Sequence, residues 1–475
     1  MQMTFGRLLG GTAVTSTARV GEYGLSFIRN VMLARVLAKA DYGLAALFGL
    51  TVTLFEVAGR MAFGQQIVQS RHGDTDEFMS SAHLFQFVAG IGGAVLVVVG
   101  SVPIARLLGV PELWWAFALL AVVSVSHGLI HLESSRQQRE LNFVPGAAVI
   151  LIPQLVVTII TWPMAVWIGD FQVILWIMSL KAVLATLVSH VVAKRAYRWR
   201  CDEAYFRSMF SFSWPLFLNG FLLLACCQGD QFLVAAKLSM SDLAVYALAF
   251  MLAGVPRLIF AQVGQSIMLP VLARCQDDLE RMRYLTRTCL EAAAAAAVAF
   301  LVPLVIAGEH FVVLFFGERY AGSGMLVAVL GFATAIRFLR VAPTTAALSR
   351  GDTMLSLHAN LIRSTSLPLA VVSLWLDAGL LWIAGCAVAG EILAVGYTFK
   401  RLCRQGMLYT SEFLGASGYV ALFILTACGL VYSGANNWDF WWVVTATIAV
   451  ILVAIVTAPL FLPKIAGILT LKCHP

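Results

Sequence analysis

Charge is what this chain has least of. Only 12% of its 475 residues are charged, 60% are hydrophobic, and mean hydropathy is +0.87. A soluble fold of that length cannot bury so much apolar side chain, which excludes a water-soluble globular protein. Long polar stretches are missing too. The connections between apolar runs are short, with 194–207 among the longest, so none can fold as a separate extramembrane domain. The nine cysteines show no pairing pattern. Cys201, Cys275, Cys403 and Cys473 fall in connections or tails, and adjacent Cys226 and Cys227 lack companion ligands at zinc spacing. Unpaired thiols are therefore expected throughout. No Walker-type phosphate loop occurs, which argues against direct ATP hydrolysis by this chain. No small-residue cleavage site follows the first apolar stretch, and Arg19, Glu22 and Arg29 interrupt it. A retained span is expected there, not a cleaved leader.

What is present is a succession of apolar segments of membrane-spanning length. Fourteen are expected: 10–35, 42–69, 78–102, 113–133, 143–168, 171–193, 210–236, 243–273, 288–307, 323–349, 354–376, 380–399, 415–433 and 438–462. With the N-terminus placed in the cytoplasm, the basic residues sort by side. Arg71, Arg136, Arg139, the cluster within 194–207, Arg274, Arg281, Arg283, Arg350, Lys400 and Arg401 fall inside. Arg35, Lys39, Arg106, Lys237 and Arg319 fall outside. That asymmetry supports both the count and a topology with both termini cytoplasmic. The net charge of +7 thus reflects topology, and no nucleic-acid partner is expected.

The expected fold is an all-α polytopic membrane protein with two six-helix lobes around a central cavity and two further helices. The N-terminal lobe covers 1–193, a basic cytoplasmic linker 194–209, the C-terminal lobe 210–400, and the last two helices with a tail 401–475. The lobes look like parallel repeats. ADYGLAALFGL from Ala40 resembles SDLAVYALAFM from Ser241, setting Asp41 opposite Asp242. Transporters built this way bind substrate between two halves near mid-membrane.

The first helix carries Thr12, Thr15, Arg19, Glu22, Ser26 and Arg29 at alternating spacings of three and four, hence on one face. Eight cations (Arg19, Arg29, Arg60, Lys181, Arg257, Arg337, Arg340, Arg363) and five acids (Glu22, Glu56, Asp230, Glu291, Glu391) fall within expected spans. At about 2.5 kcal/mol each, these charges left unsolvated would cost on the order of 30 kcal/mol. A domain's whole stability is only about 5–15 kcal/mol. Most must be paired, snorkelling or facing internal water. Because cations exceed acids, such an interior attracts anions.

Arg19, Arg29, Arg60, Arg257, Arg337 and Arg340 are the candidate substrate-binding residues. Glu22, Glu56, Asp230 and Glu391 are candidates for gating or for proton or sodium coupling. In the repeat register Arg29 faces Asp230 and Glu56 faces Arg257, which suggests charge pairs that close one side while the other opens. Lys181 is expected to pair within its own lobe, Arg363 to reach headgroups, and Glu291 to lie at the inner interface. Gln154 and Asn360 are among the side chains expected to hydrogen-bond sugar hydroxyls. His127, His131 and Glu133 are expected on one helix, without a third ligand for a metal.

Four stretches carry a family resemblance: LARVLAKADYGLAAL from Leu33, SRQQRELNF from Ser135, GDQFLVAAKLSMSDLAVYALAF from Gly229 and ALSRGDTMLSLHANLIR from Ala347. Together they resemble the Wzx-type flippases, the polysaccharide-transporter branch of the multidrug/oligosaccharidyl-lipid/polysaccharide exporter superfamily. That resemblance implies a polyprenyl-pyrophosphate-linked oligosaccharide as cargo, moved from the cytoplasmic to the outer leaflet of the bacterial inner membrane. It implies membrane lipid as a partner, with polysaccharide polymerase and export machinery as further ones. Related lipid II flippases use cavity arginines on helices 1, 2 and 8, which match Arg19, Arg60 and Arg257 here, with Arg29 as a further candidate. Arginine's fork of donors suits pyrophosphate oxygens. No bond need be broken, so no catalytic residue, metal or cofactor is expected.

Two other readings make different demands on the sequence. A cation-coupled multidrug exporter of the same superfamily should line its cavity with acids or apolar surface. A membrane-embedded glycan polymerase or ligase, an enzyme, should carry a large outer loop, and none is present.

Overall fold

A computed structural model describes residues 2–59, 63–276, 278–412 and 414–421, with 425 and 445. Among the described residues there are sixteen α-helical stretches and no strand. Apolar runs without competing turn residues form helices here because a backbone in lipid must satisfy its own hydrogen bonds. The connections stop them with side-chain caps. Thr75 accepts from the Phe78 amide at the start of α4 (Asp76–Leu107). Asp202 does so for α10 (Glu203–Lys237), and Asp278 for α12 (Leu279–Phe316). Asp352 does the same for α14 (Thr353–Arg363).

α4, α8 (Val144–Ile168), α9 (Gln172–Val191), α12, α13 (Gly324–Ser349) and α16 (Gly379–Arg404) are each long and apolar enough to cross a membrane. The chain is an all-α, multi-pass membrane protein. The expected segments map in order onto these helices together with α1 (Gln2–Val36), α10 and α11 (Met240–Ala273). The final two, 415–433 and 438–462, lie almost wholly outside the described residues.

The second expected span is described as α2 (Lys39–Gly59) and α3 (Phe63–Gln69), on either side of residues 60–62. Two expected single spans are instead broken. The fourth divides into α5 (Trp114–Leu119) and α6 (Ala121–Gly128), then bends by 42° into α7 (Glu133–Arg139). At that bend the amides of His131 and Leu132 leave the helical pattern. They donate to Ser189 Oγ (2.9 Å) and His83 Nε2 (3.3 Å). His131 therefore sits in the break and not on a helix with His127, contrary to expectation. The eleventh span divides into α14 and α15 (Ser366–Trp375). Pro368 in the first turn of α15 has no N–H for the Ser364 carbonyl, which accepts instead from the Leu367 amide at 3.0 Å.

The described chain forms two compact units, Met1–Ala247 and Leu248–Pro475. In the first unit α1 lies along α8, and α4 lies along α6. The α4–α6 crossing is close enough that a Cβ on Gly90 would come within 2.6 Å of the Gly128 Cα. In the second unit α12, α13 and α16 hold the core, with Ala294, Ala297, Leu301, Leu339 and Phe399 buried. The alanine run in α12 lets α13 approach closely, as expected of small residues in membrane helices. Cys201, Cys275, Cys289, Cys386 and Cys403 carry free thiols.

Candidate functional site

The polar face of α1 is real and is organised around Glu22. Arg19 Nη1 lies 3.0 Å from Glu22 Oε2, one turn away on the same helix. Lys181 Nζ, on α9, lies 3.1 Å from Glu22 Oε1. One carboxylate thus holds two cations and ties α1 to α9. The site is open, with side-chain exposures of 42% for Arg19, 33% for Lys181 and 18% for Glu22. Lys181 pairs within its own unit, as expected.

Further along α1, Arg29 Nη2 donates to Ser26 Oγ at 3.3 Å, and its Nε is buried without a hydrogen-bond partner. Asp230, on α10, accepts from Tyr246 Oη at 2.7 Å. The hydrogen bonds described for Arg29 and Asp230 thus run to Ser26 and Tyr246. Arg60 lies outside the described residues, as do the side chains of Glu56 and Arg257.

The second unit repeats the motif of one acid and two bases in a buried setting. Glu391, on α16, is 1% exposed. Arg337 of α13 bonds its Oε1 through Nε at 2.7 Å and also through Nη2. Arg363, at the end of α14, places Nε 2.5 Å from the same oxygen. Glu391 Oε2 has no hydrogen-bond partner. Three turns of helix from three different elements are thereby pinned to one carboxylate. Arg340, one turn from Arg337, donates from Nη2 to Asn360 Oδ1 at 3.3 Å. The i,i+3 pair on α13 therefore does share a face.

Two expectations need correction. Arg363 does not reach headgroups: it is 8% exposed and engaged by Glu391. Gln154 does not present to a cavity: it is fully buried and donates to Thr158 Oγ1 at 3.3 Å. Asn360 is held by Arg340. Sequence reasoning also missed Glu391 as the centre of the second cluster. Arg337, Arg363 and Glu391 are scattered in sequence, and only an excess of intramembrane charge signalled that partners must exist.

Outside the spans, Arg136 of α7 forms a second kind of node. It bonds Glu133 (2.8 Å), Asp74 (3.0 Å) and Glu140 (2.7 Å), and Arg195 of the linker reaches Asp74 and Asp76. The Arg136 hydrogen bond holds the Asp74 carboxyl below its ordinary range. No group of metal-binding side chains occurs among the described residues. What the two intramembrane clusters offer chemically is fixed guanidinium and ammonium donors in excess of their carboxylates, an environment suited to a polyanion.

A family model described as polysaccharide biosynthesis protein matches residues 32–324. The succinoglycan biosynthesis transport protein ExoT of Rhizobium meliloti (strain 1021) is 21% identical over 67% of this chain, and the match spans 64% of that relative's length. The lipopolysaccharide biosynthesis protein WzxC of Escherichia coli (strain K12) is 22% identical over 70% of this chain and 68% of its own. Among solved structures, the lipid II flippase MurJ in an inward closed conformation superposes with a TM-score of 0.74. It covers 95% of this chain and 99% of that chain at 15% identity. An inward-facing multidrug transporter of the MATE family gives 0.63 at 12% identity, covering 82% and 95%.

Proposed function

Because this chain belongs to the polysaccharide biosynthesis protein family, we propose that it is a Wzx-type flippase for a polyprenyl-pyrophosphate-linked oligosaccharide. The coarser statement, a membrane transporter or flippase of polysaccharide biosynthesis, follows from the family and its relatives. In the finer reading the cargo moves from the cytoplasmic to the outer leaflet of a bacterial inner membrane, by alternating access, with both termini cytoplasmic. Arg19, Arg29, Arg60, Arg257, Arg337 and Arg340 are assigned to the pyrophosphate and sugar. Glu22, Glu56, Asp230 and Glu391 are assigned to gating or to coupling with protons or sodium. The lobes keep the boundaries 1–193 and 210–400, and a polymerase with export machinery takes the product onward. The chain acts as a transporter and makes or breaks no covalent bond.

The observation that carries this reading is the doubled cation at two intramembrane carboxylates. Glu22 holds Arg19 and Lys181, and Glu391 holds Arg337 and Arg363. Each cluster keeps one positive charge more than its carboxylate neutralises, at a depth where charge is costly unless it has work to do. A pyrophosphate headgroup carries the complementary charge. Its passage through hydrocarbon needs that compensation, while a polyprenyl tail can stay in lipid.

The test is reconstitution into vesicles holding a defined polyprenyl-pyrophosphate glycan, with leaflet exposure as the readout. Arg19→Ala and Arg29→Ala, both in α1, should abolish translocation while insertion and thermal stability stay near wild type. Undiminished flipping in both variants sinks the assignment.

A further inference from the structure

Gly43, near the start of α2, is buried against the turn between α10 and α11. A Cβ added there would come within 2.6 Å of the Met240 carbonyl carbon and nearer still to its oxygen. The neighbour is backbone, which cannot swing aside as a side chain does, so only glycine fits. Each partner is held by contacts of its own. In α2, Phe48 packs edge-on against Phe117 of α5 at 4.9 Å and lies 5.8 Å from Phe171. In the α10–α11 turn, Ser239 and Asp242 cap each other. The Asp242 amide donates to Ser239 Oγ at 3.1 Å, and the Ser239 amide and hydroxyl donate to Asp242 Oδ2 at 3.2 and 2.6 Å. The two can therefore part with neither turn unfolding.

The internal repeat gives this contact its meaning. Setting Asp41 opposite Asp242 sets Lys39 opposite Met240 and Gly43 opposite Ala244. The start of α2 and the start of α11 thus hold the same place in the two repeats, and they touch. A contact between equivalent elements lies at the axis relating the repeats, and a pathway between two halves follows that axis. The second copy also shows that this helix position accepts a side chain, because Ala244 is helical and fully buried. Glycine at 43 is demanded by the approach to Met240 and not by the helix, which it weakens.

We infer that Gly43 seated against the Met240 carbonyl closes one mouth of the transport pathway. That mouth is the end carrying Arg35 of α1, Lys39 of α2 and Lys237 of α10. The contact is made while the mouth is shut and parts when it opens, as two packed bodies that separate without deforming. The inference rests on the alternating-access reading above, and it holds for whichever cargo is carried.

Hydrogen–deuterium exchange of the purified full chain in detergent tests this without cargo. Gly43→Ala disfavours the shut state, so amides of 36–43 and 238–243 should exchange about tenfold faster. The opposite ends of the same two spans, 63–69 and 268–273, should exchange more slowly, because opening one mouth shuts the other. Gly49→Ala, further along α2 where a Cβ meets nothing, should leave both ends as in wild type. Opposite changes at the two ends support the inference. Faster exchange at the turns alone marks a fixed packing contact and overturns it, as does wild-type exchange in Gly43→Ala. If Gly43→Ala does not fold, wild type carries the test: 36–43 and 238–243 opening in one correlated step supports the inference, and independent opening overturns it. The vesicle assay keeps the cargo question separate. Opposite changes in exchange without flipping of the polyprenyl-pyrophosphate glycan would retain the gate and reject that cargo.

Discussion

Arg363 places its Nε 2.5 Å from Oε1 of Glu391, so the last turn of α14 is tied to the middle of α16 through a carboxylate 1% exposed. Arg337 bonds the same oxygen from α13. A buried acid with two bases is a different object from the half-open Glu22 cluster, and the two should respond differently to substitution.

Glu391→Gln removes the counter-charge that Arg337 and Arg363 share. Breaking a buried ion pair from one side costs about 3–5 kcal/mol. Thermal unfolding in detergent should show that loss, and Glu391→Asp should recover part of it. A melting temperature within a degree of wild type would mean that water reaches this cluster.

At Glu22 the effect should be small. Lys181 is 33% exposed and Glu22 18%, so the pair is partly screened and worth about 1 kcal/mol or less. A double-mutant cycle with Lys181→Met and Glu22→Gln measures that coupling. A value as large as the Glu391 penalty would show Glu22 to be shielded from solvent.

The connections set the acid limb of stability. Asp74 is held below its ordinary range by the Arg136 hydrogen bond, with Arg195 adding to it. For Asp352 burial pulls upward, but Gln405, the Leu355 amide and Arg401 outweigh it and lower it. Both carboxyls are depressed in the folded chain. Their contribution is therefore full above the unfolded value of about 3.9 and disappears as pH falls through the lower folded values. Thermal stability followed from pH 7 downward should lose these contributions only below about pH 4. Asp74→Asn should flatten that limb, and an unchanged limb would contradict the assignment.

Packing supplies a fourth prediction. Gly90→Val puts atoms into the Gly128 backbone, where a Cβ alone already meets it at 2.6 Å. Overpacking of this kind costs about 1–3 kcal/mol. Gly92→Val on the same helix, where a Cβ meets nothing, is the matched control. Equal stability of the two variants would show that α4 and α6 can separate.

Much of the architecture is readable from apolar length, since the bilayer imposes it on every segment alike. The α1 face of Arg19, Glu22 and Arg29 and the Arg337–Arg340 pair were readable because three- and four-residue spacings are local geometry. The place of Arg363 is not legible in the sequence because its partner, Glu391, lies on another helix. The bend at 129–132 was missed for a similar reason. Its amides are satisfied by Ser189 and His83, which approach from α9 and α4. No window of sequence around the bend contains either one.

Two arginines serving a single carboxylate oxygen make an asymmetric joint. Either spoke can be withdrawn and the acid still keeps a counter-ion, whereas removing the hub takes a counter-charge from both spokes at once. Damage should therefore be graded: mild at Arg337 or Arg363 taken singly, severe at Glu391, and severe again only when both arginines go together.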